Sequence, residues 1–157
     1  MDTNTNMKFM SLALEQARLA YNENEVPIGA VIVRNGEVIS TGYNKRHNGK
    51  NAMLHAETEA IYKACEKLGG WHLWNCDLYV TVEPCPMCAG AIINSRIRNI
   101  YIGTTNSKFG ACGSVINLFD YPFNHKPNIV TGIMEDDCKK LMSDFFLEVR
   151  EKKKKTL

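Results

Sequence analysis

The sequence predicts an α/β protein in which helices cover both faces of a central sheet. Three observations carry that expectation. A strand-like run, DLYVTV, is followed by a short helical segment, PMCAGAIINS, and then by a second strand-like run, RNIYIG. Two strands joined through one helix favour a parallel pair. The runs VPIGAVIV and EVISTGY flank Asn35 and Gly36, the strongest short signal for a two-residue hairpin. The strands also hold more apolar residues than one buried face needs, so both faces should be covered.

The elements follow in order. Between about Lys8 and Tyr21, Phe9, Ala13, Ala17 and Ala20 recur at helical spacing with Met10 and Leu14 beside them. The hairpin comes next. His55 to Leu68 reads as a helix stopped by Gly69 and Gly70. After the strand–helix–strand unit, residues 103–126 read as loop, with a short helix expected around Ser114 to Phe119. PNIVTG is a fifth strand candidate. The last helix, about 134–151, places Met134, Cys138, Leu141, Met142, Phe145, Phe146 and Val149 on one face. Glu135, Asp136 and Asp137 open it, and Lys152 to Lys155 are expected as a basic tail just past its end.

At 157 residues the chain is expected to form one domain, 1–157. A chain of that size can bury roughly 70% of its unfolded surface, so it needs no metal or disulfide as a staple. A net charge of +2 does not by itself establish a nucleic-acid partner. The opening MDTNTNMKFM lacks a basic-then-apolar leader, and no apolar run approaches a membrane span. The expected compartment is the cytoplasm, where six cysteines stay reduced.

In that compartment the close pair Cys85 and Cys88 fits a redox pair, a structural zinc site or half of a catalytic metal site. Each of two motifs, His55-Ala56-Glu57 and Pro84-Cys85-Pro86-Met87-Cys88, opens a predicted helix. The N–H groups of a helix start favour thiolate, the form that binds zinc. Two thiolates one turn apart plus His55 make three ligands of a tetrahedron, which leaves a corner for water and a catalytic role. Glu57 stands beside them as a proton carrier.

The joined H-x-E and P-C-x-x-C motifs match the signature of the zinc nucleobase deaminases. The chain further resembles the bacterial tRNA adenosine deaminases through VPIGAVIV, HAE, LYVTVEPCPMCAGAIINSRI, GSVINL, FNH and SDFF. The resemblance implies a cytidine-deaminase-like three-layer α/β/α sandwich with a five-stranded mixed sheet. It implies one zinc ion per subunit on His55, Cys85 and Cys88, with Glu57 as proton shuttle. It implies a homodimer acting on a tRNA anticodon stem-loop, converting the wobble adenosine to inosine. Asn44, Ala56, Asn124, His125, Phe145 and Phe146 fall at its substrate-contacting positions.

Two other functions fit the same motifs. One is zinc-dependent deamination of a free base or nucleoside, guanine or cytosine. The other is a zinc-stabilised RNA-binding module without turnover, which would close the metal site with a fourth protein ligand. Cys65, Cys76, Cys112 and Cys138 read as small core residues. His47 and His72 belong to no motif.

Overall fold

The computed structural model describes residues 2–156, so Met1 and Leu157 of the expected 1–157 domain lie outside the described residues. Helix α1 spans Thr3–Asn22, and the hairpin strands are β1, Gly29–Arg34, and β2, Glu37–Tyr43. Helix α2, Ala56–Leu68, is followed by β3, Cys76–Val82, then α3, Pro86–Ser95, and β4, Asn99–Thr104. After a 3-10 turn, Leu118–Asp120, come β5, Asn128–Val130, and α4, Glu135–Lys155.

The five strands form one mixed sheet in the order β2-β1-β3-β4-β5. β1 is antiparallel to β2 and β3, whereas β3, β4 and β5 run parallel. Because side chains alternate along a strand, each strand feeds two cores. Ala30 and Ile32 of β1 and Leu78 and Val80 of β3 pack with Ala60, Ala64 and Ile92 of α2 and α3. Their neighbours Val31, Val33 and Tyr79 pack with Phe9, Met10 and Leu14 of α1 and with Cys138 of α4. Coverage on both sides is why these strands are apolar on both faces and read as runs rather than alternations.

Local chemistry fixes the boundaries. Asn35 and Gly36 both take positive φ, 52° and 77°, as the tight hairpin requires. Gly69 ends α2 in the left-handed region. A Cβ at Gly42 would run into the backbone of Ala56 and Ala60. Glycine there lets the first turn of α2 lie directly on β2, and that contact sets where the preceding His55 stands.

Three expectations need correction. Helix α1 begins five residues earlier than the stripe suggested, because the Asp2 carboxylate accepts from the Thr5 N–H at 2.8 Å and caps it. The helix expected at Ser114 to Phe119 is reduced to Leu118–Asp120. Gly113 has φ 134°, and the N–H groups of Cys112 and Ser114 are drawn to Glu83 instead of to a helix ladder. Finally, Lys152 to Lys155 form the last turn of α4 rather than a tail beyond it. Four cations there complement the carbonyl end of the dipole and prolong the helix.

Candidate active site

The chemistry gathers where α2 and α3 begin, at the ends of β2, β3 and β4. His55 is the residue just before α2, in an extended conformation, with its N–H donated to Thr58 Oγ1 at 3.1 Å. That bond occupies the backbone and leaves the imidazole to turn toward α3. Cys85 occupies the equivalent place before α3, Pro86 sets the first helical φ, and Cys88 follows one turn on. His55 Nδ1 lies 3.6 Å from Cys85 Sγ and 3.5 Å from Cys88 Sγ. The three donor atoms lie within 4.8 Å of one another, and among the described residues no fourth side chain joins them.

This donor set fits zinc. Zn–N and Zn–S bonds of about 2.05 and 2.3 Å at a tetrahedral angle put nitrogen and sulfur about 3.6 Å apart, the spacing observed. A hydrogen bond with Cys88 and another with His55 bring the Cys85 thiol down to about 4, while the hydrogen bond to Cys85 and burial push the Cys88 thiol up. The hydrogen bond to Cys85 in turn raises His55. Metal binding would displace protons from these groups.

Glu57 is 3% exposed, and burial raises its carboxyl to about 7. It lines the same cavity as His55 and Cys85, a groove of about 1210 Å³. Asn44 reaches the groove from the end of β2, held by its backbone N–H to Ile28 O at 3.1 Å. Ala56 lines the groove as well, and so does Phe146, which is 40% exposed.

The other residues expected to meet substrate lie elsewhere in this chain. Phe145 faces away from the groove and packs edge-on against Tyr21, centroids 5.6 Å apart. His125 Nε2 donates to Ile97 O at 2.6 Å, and Asn124 beside it is exposed. Ile97 precedes β4 and Thr104 ends it at the groove, so His125 sits roughly 20 Å away along the strand direction. Cys112 and Cys138 are buried, and burial pushes both thiols up to about 12, as befits core residues. His47 and His72 are exposed and lie outside the site.

The groove also shows residues that no motif marked. Its rim carries Arg46, Lys108, Lys139 and Arg150, all exposed, with Phe109 66% exposed among them. Glu83, which also lines the groove, is buried and accepts N–H bonds from Asn106, Cys112 and Ser114 at 3.1, 3.0 and 3.1 Å, plus the Ser114 hydroxyl. Burial alone would raise its carboxyl, but those bonds outweigh it and hold the group below its usual value. Its place directly before Pro84-Cys85 was the one available signal in the sequence, and a carboxylate there has no partner visible by spacing.

The model of the cytidine and deoxycytidylate deaminase zinc-binding region matches residues 3–104, which include all three metal-site residues and Glu57. The chain belongs to this deaminase family. A Bacillus subtilis (strain 168) family member, a tRNA-specific adenosine deaminase, is 44% identical over 147 residues, covering 93% of this chain and 91% of the relative. A solved chain from a study of A-to-I editing by tRNA:A34 deaminases superposes with a TM-score of 0.83 at 43% identity, covering 85% of this chain and 98% of that one. A solved guanine deaminase from Bacillus subtilis superposes with a TM-score of 0.61 at 35% identity over 76% of each chain.

Proposed function

We propose that this protein deaminates the wobble adenosine of a tRNA anticodon loop to inosine. The observation that carries the reading is a three-ligand metal site beside a buried carboxyl, at the bottom of a groove rimmed by Arg46, Lys108, Lys139 and Arg150. A free base needs no such cationic rim, whereas RNA offers a phosphate for each cation. The relative from Bacillus subtilis supports the same substrate.

His55, Cys85 and Cys88 would hold one zinc ion per chain. When bound, zinc supplies the Lewis acidity that makes water nucleophilic near neutral pH. Glu57 takes one proton from the attacking water and delivers it to adenine N1, then takes the remaining proton from the new C6 hydroxyl and passes it to the departing amine, which leaves as ammonia as the C6 carbonyl forms. A carboxyl near 7 can both accept and return a proton at physiological pH. Asn44 and Ala56 hold the purine in the groove, and Phe146 offers a ring at its mouth. A single-stranded loop makes extrusion of the base inexpensive. Asn124, His125 and Phe145 take no part in the groove of one chain. We further infer a homodimer working in the cytoplasm; among the described residues no helix is long and apolar enough to cross a membrane.

The test incubates zinc-loaded protein with an anticodon stem-loop bearing adenosine at the wobble position, and separately with adenosine, guanine, cytosine and cytidine. Inosine formed in the stem-loop, with the small substrates untouched, is the expected result. Turnover of free guanine or cytosine alone would replace this reading with that of a base deaminase. Light scattering of the purified protein checks the dimer.

A further inference from the structure

We propose that Glu83 is a positioning residue that fixes the substrate-facing wall of the groove to the turn bearing the metal cysteines. Glu83 lies between the end of β3 and Pro84-Cys85, and no salt bridge among the described residues includes it. A buried carboxylate without a cation must satisfy its lone pairs with donors. Here every donor comes from one segment, 106–114. Oε1 takes the Asn106 N–H and the Ser114 hydroxyl; Oε2 takes the N–H groups of Cys112 and Ser114.

The connection has a second link. Asn106 Oδ1 accepts the N–H groups of Lys108 and Phe109, each at 3.2 Å, and Asn106 O accepts that of Gly110 at 2.9 Å. This turn is what points Lys108 and Phe109 into the mouth of the groove. A third tie runs directly between the two segments, from Ala111 N–H to Pro84 O at 2.9 Å. A Cβ at Gly110 would strike the Glu83 carboxylate, so the loop and the acid are in close contact. The relay thus runs from the Cys85 turn through Glu83 and Asn106 to two residues that face substrate. The metal-site residues themselves stand at the starts of α2 and α3, and none of them makes a hydrogen bond of this relay. Losing it should therefore weaken substrate binding while sparing the metal.

Glu83→Gln tests this, because an amide NH2 would face N–H donors where a carboxylate oxygen accepted them. The kinetic arm rests on the stem-loop reading above; the exchange arm needs no substrate. In the zinc-loaded protein, Glu83→Gln should speed amide exchange across 106–114 and keep the metal content. It should raise KM for the stem-loop about tenfold, the effect of one buried hydrogen-bond defect, with kcat changing far less. Asn106→Ala should do the same to a smaller degree. The double variant should be less than additive, because both changes break one chain of hydrogen bonds. Wild-type exchange across 106–114 in Glu83→Gln, loss of zinc with KM unchanged, or full additivity overturns the proposal. If Glu83→Gln does not fold, Asn106→Ala decides alone, and wild-type exchange and KM in that variant overturn it. Absence of turnover in the wild-type protein would refute the substrate reading and leave the exchange result to judge Glu83.

Discussion

Residues up to the end of β4 supply His55, Glu57, Cys85 and Cys88, all within one helical turn of a helix start. Residues beyond β4 supply Lys108, Phe109, Lys139, Phe146 and Arg150, spread over a loop and one face of α4. The first region is built from groups packed closely enough to fix one another. The second is exposed, its loop held by Glu83 from across the fold and its other members carried on α4. The difference separates chemistry from grip: bond-breaking groups must be held to fractions of an ångström, whereas phosphate recognition tolerates looser placement.

That division can be broken from the chemical side first. Cys88→Ser should abolish zinc retention and with it all measurable turnover, checked by metal analysis and stem-loop assay, because a hydroxyl is a far poorer zinc ligand than a thiolate. Glu57→Gln should keep the zinc and lower kcat by about 10²–10⁴-fold, the usual contribution of a positioned proton carrier. A Gln variant with full activity would remove Glu57 from the mechanism.

From the other side, Lys139→Ala with Arg150→Ala should leave zinc and kcat in place. It should weaken stem-loop binding and reduce the slope of log affinity against log salt by about 2, one for each phosphate no longer neutralised. An unchanged slope would mean that the rim does not meet RNA. The smallest effect concerns stability. Burial pushes Glu59 up, but hydrogen bonds from Lys45 and Lys63, both 2.6 Å, outweigh it and the net pKa falls below 4.5. A depressed folded pKa stabilises the fold fully above pH 4.5, and that gain is lost as pH falls through the folded value. Glu59→Gln should therefore flatten the acid limb of stability, by about 0.5 kcal/mol for such solvent-reaching lysines, read from denaturant midpoints between neutral and acidic pH.

The same contrast explains what could be read in advance. His55, Glu57, Cys85 and Cys88 announce themselves because their spacing is local and each motif opens an element with recognisable stops. The hairpin at Asn35–Gly36 and the strand–helix–strand unit are legible for the same reason, and two-sided burial of the sheet follows from strands with more apolar residues than one face needs. The segment after β4 is not legible, because Glu83 anchors it from 23 to 31 residues upstream. Nor is the cationic rim, whose members belong to three segments that only the folded chain brings together. Phe145 and Phe146 show the limit of a resemblance at neighbouring positions, since adjacent helical residues point in different directions and only Phe146 reaches the groove.

The reversed course of β1 has one more consequence. Because β1 alone opposes the others, β2 delivers Asn44 to the same rim as the ends of β3 and β4, and the Asn35–Gly36 bend is carried to the opposite rim beside Cys76. The molecule thus has a working edge and an idle one. A fluorophore or a fused peptide joined at that bend would ride on the idle edge, giving a handle on the protein that leaves the groove open.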